Sequence, residues 1–303
     1  MGQMGHHDCR ELLSSIEISG IIKQRPDICV VVEGRFDRDI LEFAFEQQLK
    51  KSIRTFKIFR AGCRDCVRNA TESISKTIPT FGLVDSDSDL VRQIDEYRIS
   101  SHNSLLARTE LRDLEASLLS LDRHRTVLQR LERDGLIKPK KFVHFNEFYH
   151  HIIQELARIG TYRVTNDVRH DSNEGHIKFD GMKFEAFVDR NAIRINKDEL
   201  RKELKRLNSN IRWISDGWRE FEEDNQKWLK LARDHSEWQS FVRGHDFEDF
   251  VVHCLWDQGD DHSKRKIRDL VYKYLLDLRP LVWESAVGEQ IKVFLEMADQ
   301  SPV

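Results

Sequence analysis

The sequence lacks any apolar run that approaches the ~20 residues a transmembrane helix needs. Its first residues also lack the continuous apolar core of a signal peptide. These two absences predict a cytoplasmic protein without a membrane partner.

A strong net charge is also missing, since 49 basic residues face 52 acidic ones and the formal net charge is −3. A hydrophobic content of 39% fits an ordered globular chain rather than a disordered one. The molecule as a whole does not attract nucleic acid, so any such contact needs local basic patches or a metal ion at the phosphate. Basic stretches at 137–141, 201–206 and 262–268 are ordinarily solvated faces, and they are the natural phosphate contacts if nucleic acid binds.

Cysteines are few and scattered, five in all, and only Cys63 and Cys66 have CxxC spacing. A structural zinc site would need a second pair, which the sequence does not provide. Positions 63, 66, 67, 70 and 74 form an apolar stripe at helical spacing, so we expect these thiols to pack against a core.

Strand and helix patterns alternate through the first half. Strands are predicted at 28–34, 55–62, 80–87, 104–108 and 141–145. This alternation predicts an α/β fold with a doubly wound, Rossmann-like parallel sheet flanked by helices, in a domain of residues 1–150.

The second half, residues 151–303, is predicted to be a mainly helical subdomain with a β-hairpin insert near 176–195. The hairpin prediction rests on Asp180-Gly181, which lies between alternating apolar residues. Tryptophans recur at 213, 218, 228 and 238. They could stack on bases, but their helical spacing favours an aromatic core.

Acidic residues follow two of the predicted strands. Glu33 ends the first strand, Asp85 and Asp87 end the third, and Asp89 comes next. The carboxyl ends of parallel strands meet at one edge of a sheet, where ligands bind. Clustered carboxylates raise one another's pKa, and a hard cation such as Mg²⁺ relieves this repulsion. The pattern therefore predicts a Mg²⁺ site able to act on a phosphate ester.

The segment DSDSD (85–89) allows other interpretations. An EF-hand loop would need glycine where Leu90 stands, and the preceding FGLV is typical of a strand. An Asp-x-Asp metal site of a sugar-nucleotide transferase leaves Glu33-Gly34 unexplained. A solvated acidic turn that caps the next helix is the structural alternative.

The two acidic blocks together, VVVEGRFD (30–37) and GLVDSDSD (82–89), resemble the signature blocks of the Toprim domain. The resemblance covers about residues 28–120 and implies a Toprim fold. It implies that Glu33 acts as acid/base or metal ligand and that Asp85 and Asp87 hold Mg²⁺. Asp37 matches a further acidic position near the first block, with at most a supporting role.

Two further blocks resemble a narrower group of Toprim proteins, the OLD-like nucleases of anti-phage systems. This group includes the Toprim effectors of PARIS defence systems. TELRDLEASLL (109–119) resembles their Arg-Asp-Leu-Glu helix, which implies that Asp113 or Glu115 completes the metal shell. The alternative is a pair of exposed helical carboxylates. RGHDFEDFV (243–251) resembles a C-terminal block of the same group, which implies that His245 is a phosphate contact or proton carrier. The alternative is a surface histidine.

By this resemblance the chain is a Mg²⁺-dependent endonuclease of anti-phage defence, with one or two metal ions and Mn²⁺ as a substitute. The implied substrate is RNA, specifically host tRNA, cut after release from an ABC-type ATPase partner, with a homo-oligomer as the active form. The sequence has no GxxxxGKS/T loop, so we expect no ATP hydrolysis by this chain alone. Alternatives are a DNA nuclease of OLD type, nucleotidyl or strand transfer as in primases and topoisomerases, and a non-catalytic sensor subunit of the ATPase.

Overall fold

The computed structural model describes residues 15–50, 54–87, 89, 100–101, 103–123, 125–136, 145–171, 177–179, 181–189, 192–209, 217–234, 236–255 and 261–300. The chain divides into two compact units. The sheet unit comprises Met1–Ser86, Ile94–Leu121 and Leu276–Val303, and the helical unit comprises Asp87–Gln93 and Asp122–Leu275.

The described strands are β1 (Ile28–Val32), β2 (Phe56–Arg60), β3 (Thr80–Val84), β4 (Ser100–Ser101), β5 (Ser104–Arg108), β6 (Val188–Asp189) and β7 (Arg194–Ile195). The described α-helices are α1 (Ser15–Gln24), α2 (Arg35–Leu49), α3 (Arg64–Ile74), α4 (Leu114–Leu121), α5 (Thr126–Arg133), α6 (Phe145–Asp171), α7 (Lys197–Leu207), α8 (Trp218–Asp234), α9 (Gly244–Leu255), α10 (Asp261–Leu276) and α11 (Ala286–Gln300). The described residues also form 3₁₀ segments at Phe184–Ala186, Trp238–Phe241 and Arg279–Glu284.

The sheet unit is built on a sheet with strand order β2-β1-β3-β5-β4 in the described part of the chain. The first four strands of this order pair in parallel, and β4 joins β5 as a short antiparallel edge strand. Every residue of β1 and β3 is buried, as expected for central parallel strands covered on both faces. The predicted α/β layout with a parallel sheet flanked by helices is therefore confirmed.

Helices pack on both faces of this sheet. On one face, Cys29 and Val31 of β1 share a core cluster with residues of α1 and α3, including Val67 and Ile74. On the other face, the ring of Phe81 in β3 lies 5.9 Å from Phe45 of α2 and 5.5 Å from Phe294 of α11. The last helix of the chain thus completes the core of the sheet unit.

Most predicted elements of the first half match the structure closely. The strand predicted at 104–108 has the observed bounds, and the other three observed parallel strands are two or three residues shorter than predicted. The strand predicted at 141–145 lies outside the described residues except for Phe145, which begins α6. The boundary predicted at residue 150 falls inside this helix.

The helical unit is organised around α6, a helix of 27 residues. Gly160 of α6 lies against the backbone carbonyl of Phe241, an approach so close that a Cβ at this position would overlap it. Arg163 of α6 forms a buried ion pair with Asp246 of α9, with Nη2 to Oδ1 at 2.9 Å. Both contacts tie α6 to segments more than 80 residues further along the chain.

The hairpin predicted around Asp180-Gly181 is corrected by the structure, although a short hairpin does lie within the predicted insert 176–195. The antiparallel pair is β6 with β7, in which Val188 pairs with Ile195. The segment expected to be its strand instead forms the 3₁₀ turn Phe184–Ala186. This turn lets Phe184 and Phe187 pack together at 5.2 Å, both buried, which an alternating strand would have prevented.

The helical pattern predicted from Lys197 onwards is confirmed by α7, α8 and three later helices. Trp218 is buried and lies against the rings of Tyr162 and Phe221, as the core interpretation predicted. Trp228 and Trp238 are half-buried, and Trp213 lies outside the described residues. None of the described helices is both long and apolar enough to cross a membrane.

Candidate active site at the carboxyl edge of the sheet

Glu33 and Asp85 lie at the carboxyl edge of the parallel sheet, directly after two neighbouring strands. In the register of β1 and β3, Val32 pairs with Leu83, so the two acidic residues emerge beside each other. The carboxylate of Glu33 accepts a hydrogen bond of 2.8 Å from the backbone N–H of Asp85. Both residues are half-buried, which leaves the edge open to solvent. The structure therefore brings together the ends of the two strands that the sequence singled out.

Arg64 is a third charged group at this edge, and sequence analysis missed it. Its Nη2 donates to the backbone carbonyl of Asp85 at 2.8 Å. Arg64 begins α3, directly after a turn in which Gly62 has a φ of 82° and donates its N–H to the carbonyl of Glu33. The available signal was its position, because it begins the helix that comes after the carboxyl end of β2, a neighbour of β1 in the sheet. A guanidinium at such an edge provides fixed donors of the kind that bind phosphate oxygens.

The Cys63-x-x-Cys66 pair forms the start of the same helix. Cys63 is the N-cap of α3, and its Sγ accepts from the N–H of Cys66 at 3.4 Å. Cys66 is buried in the core, as the packing interpretation predicted. Burial also raises the pKa of the Cys29 thiol, in β1, to about 12, so this thiol stays protonated and inert.

A chain of buried hydroxyl groups fixes the loop behind the edge. The N–H of Ser86 donates to Oγ1 of Thr109 at 3.0 Å, and the Ser86 hydroxyl donates to the Thr109 carbonyl. The Thr109 hydroxyl donates to the carbonyl of Leu111, whose N–H donates to Oγ of Ser117. Because each buried polar group finds a partner, the end of β3 is held rigidly against the loop that follows β5.

Asp113 and Glu115 lie at the start of α4 and are both buried rather than exposed. Oδ1 of Asp113 accepts from the N–H of Ala116 at 2.8 Å, the bond of a helix cap. The preceding Arg112 is buried as well, so α4 begins with three charged residues withdrawn from solvent. Withdrawing three charged residues from solvent in one short segment is unusual, because burial of a charge is unfavourable unless another group compensates it.

Asp37 has a similar structural role. Its Oδ2 accepts from the N–H of Gly34 at 2.9 Å and so caps the N-terminus of α2. This bond shapes the turn that follows Glu33.

The remaining predicted site residues belong to the helical unit. Asp87 has a φ of 45°, in the left-handed region that aspartate tolerates, and Asp89 is buried. The helix that Asp89 was predicted to cap lies outside the described residues. His245 is exposed in the first turn of α9.

A metal ion at the sheet edge would rely on few protein ligands. Within the described residues there is no group of three or more His, Cys, Asp and Glu side chains arranged to hold one. Mg²⁺, however, is commonly bound through one or two carboxylates together with water and substrate phosphate. Glu33 and Asp85 supply hard oxygen ligands of this kind, so the donor chemistry fits Mg²⁺.

The fold and this edge define a class of protein, an α/β protein with a Rossmann-like parallel sheet and acidic groups at its carboxyl edge. No protein-family model matches the chain, and no curated protein matches it.

Proposed function

We propose that this chain is a Mg²⁺-dependent phosphodiesterase of the Toprim class, acting as a nuclease on RNA. The observation that carries the proposal is the hydrogen bond of 2.8 Å between the Glu33 carboxylate and the Asp85 N–H at the edge of adjacent parallel strands. Sheet edges of this kind are where ligands bind in open α/β folds. The two signature blocks of the sequence therefore supply the ends of two strands that meet in space.

Each residue at the edge has a role in this proposal. Glu33 and Asp85 would hold Mg²⁺, which when bound would stabilise negative charge on the phosphate ester and lower the pKa of a bound water. Arg64 binds a phosphate oxygen and orients the ester, because its guanidinium lies at the same edge. In the alternative role that the resemblance implies, the Glu33 carboxylate moves a proton to or from the reacting oxygen instead of holding the metal ion.

The wider biological proposal extends the resemblance of residues 109–119. We propose that tRNA is the substrate, that an ABC-type ATPase holds the enzyme inactive, and that the released chain acts in the cytoplasm as a homo-oligomer in anti-phage defence. Asp87, Asp89, Asp113, Glu115 and His245 remain candidates for metal or phosphate contacts. Asp113 ranks below Glu33 and Asp85 because its carboxylate already caps α4.

Conservative substitutions at the edge test this function. Glu33→Gln keeps an acceptor for the Asp85 N–H but removes the charge, and Asp85→Asn removes the second charge. We expect each variant to lose at least 100-fold in the rate of Mg²⁺-dependent cleavage, a loss typical of removing a group that stabilises the transition state. The rate is measured on tRNA and on plasmid DNA, with and without a chelator.

Glu46→Gln is the matched control, since Glu46 is exposed on α2 and the change removes the same charge. It should cleave at the rate of the natural chain. Circular dichroism verifies that the edge variants fold. Cleavage retained in both edge variants, or the absence of cleavage of either nucleic acid by the natural chain after removal of the ATPase, would contradict the proposal.

A further inference from the structure

A cleft between α7 and α8 in the helical unit is unrelated to any motif that the sequence singled out as catalytic. Its volume is about 440 Å³, within the range of small-ligand sites. Lys197 and Arg201 of α7 line it together with Trp218, Arg219 and Glu222 of α8. Trp218 is 1% exposed, whereas the basic side chains that line the cleft are exposed.

The indole of Trp218 has an unused hydrogen-bond donor. Its Nε1 is buried and has no hydrogen-bond partner within the part of the chain that the structure describes. One side of the ring is packed against Tyr162 and Phe221. Buried indole N–H groups ordinarily find an acceptor, so this donor indicates a ligand group that accepts from it.

Positive charge is left uncompensated around this indole. Lys197 is paired with Glu222 at 3.2 Å, and Arg219 with Glu223 at 3.1 Å. Within each of these two pairs the positive and the negative charge cancel.

Arg201 and Lys205, one turn apart on α7, form no ion pair with any carboxylate among the described residues. Both cations instead lie over the Trp218 ring, at 5.4 and 5.5 Å from its centroid. The Arg201 guanidinium thus lines the cleft beside Trp218 without an ion-pair partner among the described residues, and the Lys205 ammonium lies close by.

We infer that this cleft binds a phosphate-bearing ligand of mononucleotide size. Phosphate carries two negative charges and several acceptor oxygens, which Arg201 and the indole N–H of the lining can satisfy, with the nearby Lys205 adding positive charge. The Arg201 side chain is exposed and therefore able to turn towards such a ligand. Glu223 and Gln226 line the same cleft and offer polar groups to sugar hydroxyls or to the base.

Calorimetric titration of the full chain with inorganic phosphate, AMP and adenosine tests the inference. We expect phosphate and AMP to bind, AMP more tightly, and adenosine to bind at least tenfold more weakly than AMP. Equal affinity for AMP and adenosine would overturn the inference, because the phosphate would then contribute nothing. A single-stranded RNA oligonucleotide that binds where AMP and phosphate do not would also overturn it, in favour of a nucleic-acid surface.

Arg201→Gln should weaken AMP binding at least tenfold. The matched control is Lys202→Gln, which removes the same charge from the next residue of α7, where Lys202 is exposed and paired with Glu199. The AMP affinity of the control should stay within twofold of that of the natural chain. An equal loss in both variants would mean that general electrostatics cause the effect, and it would refute the site.

Trp218→Phe, which keeps an aromatic ring but lacks the N–H, should also weaken AMP binding. Glu33→Gln should bind AMP normally, so the outcome is independent of nuclease activity.

Discussion

Glu33 serves the backbone of the sheet unit as well as its proposed chemistry. Its carboxylate accepts from the N–H of Asp85 and so fixes where the chain leaves β3. A carboxylate that is already oriented by the backbone is preorganised for binding a cation or moving a proton. Because of this bond, truncation of Glu33 to alanine would also disturb Asp85. The isosteric glutamine keeps an acceptor for the Asp85 N–H and removes only the charge.

Gly82 shows how closely the sheet and α3 approach each other. A Cβ at this position would overlap Oγ1 of Thr71 in α3 and come within 2.7 Å of Cδ1 of Leu106 in β5. Gly82→Ala should therefore lower the free energy of unfolding by about 1–3 kcal/mol, the usual cost of overpacking a core. Urea unfolding followed by circular dichroism measures the change.

Gly20→Ala is the control for this substitution. A Cβ at Gly20 in α1 would meet no atom of the described residues within 4 Å. Alanine is the better helix former, so this variant should be as stable as the natural chain or more stable by up to about 1 kcal/mol. A destabilisation of Gly20→Ala equal to that of Gly82→Ala would show that close packing is not the cause.

At the scale of elements, α9 contains a carboxyl group, that of Glu248, whose protonation favours the folded chain at low pH. Burial raises the pKa of Glu248 above its ordinary value of 4.5, although Arg268 and His245 act in the opposite direction. A raised pKa means that the folded chain binds this proton more tightly than the unfolded chain. The resulting stabilisation is present below pH 4.5 and is lost as the pH rises through the raised pKa of the folded state.

Glu248→Gln should therefore be more stable than the natural chain at neutral pH, and this difference should disappear at pH values below 4.5. Urea unfolding across acidic and neutral pH measures the difference. Lack of any dependence on pH would show that Glu248 is not withdrawn from solvent.

Asp224→Asn on α8 provides a comparison of opposite sign. The hydrogen bond from Lys227 and that from Arg169 lower the pKa of Asp224 below its ordinary value of 3.8. Its stabilisation is present at neutral pH and is lost as the pH falls through the lowered pKa. Asp224→Asn should accordingly be less stable than the natural chain at neutral pH.

The roles of Cys63 and its neighbours also depend on the helix that they begin. Sequence spacing predicted packing of the thiols on a helix face, and burial of Cys66 agrees. The spacing alone did not reveal that Cys63 is the N-cap of α3 or that Arg64, the next residue, reaches the carbonyl of Asp85. A cap depends on where the helix begins, and this start is fixed by the turn at Gly62.

At the scale of the whole molecule, the sheet unit is discontinuous in sequence. Its last helix, α11, is fastened to β5 by Gln290, whose side-chain amide donates to the carbonyl of Arg108 at 3.3 Å and accepts from its N–H at 3.2 Å. Glu110 accepts from the N–H of Ala286 at the start of the same helix. Residues near the C-terminus thus complete a unit that begins near the N-terminus.

Phe294→Ala should destabilise the sheet unit by about 3–5 kcal/mol, the usual cost of deleting a buried ring. Phe294 is 1% exposed and lies against the rings of Phe45 and Phe81. The control is Val293→Ala on the same helix, where the side chain is 50% exposed and the change should stay within about 0.5 kcal/mol. Thermal unfolding compares them, and similar midpoints for the two variants would mean that α11 is not part of this core.

The sequence by itself determined the local elements of the sheet unit and the acidic residues at its edge. The β-branched run of β1 is typical of a strand covered on both faces, and Glu33 and Asp85 follow such strands directly. These features depend on neighbouring residues alone, because side-chain periodicity and strand ends are local properties.

Tertiary structure alone decided which distant segments meet. The place of Arg64 beside Asp85, the burial of Asp113 and Glu115, and the joining of α11 to β5 all depend on contacts between residues far apart in the chain. The strand pairing predicted around Asp180-Gly181 is wrong for the same reason, since burial of Phe184 and Phe187 in the helical unit favours a 3₁₀ turn there. A short hairpin forms later within the predicted insert. The sequence pattern specifies what each segment prefers, and the shared core determines which of these preferences is realised.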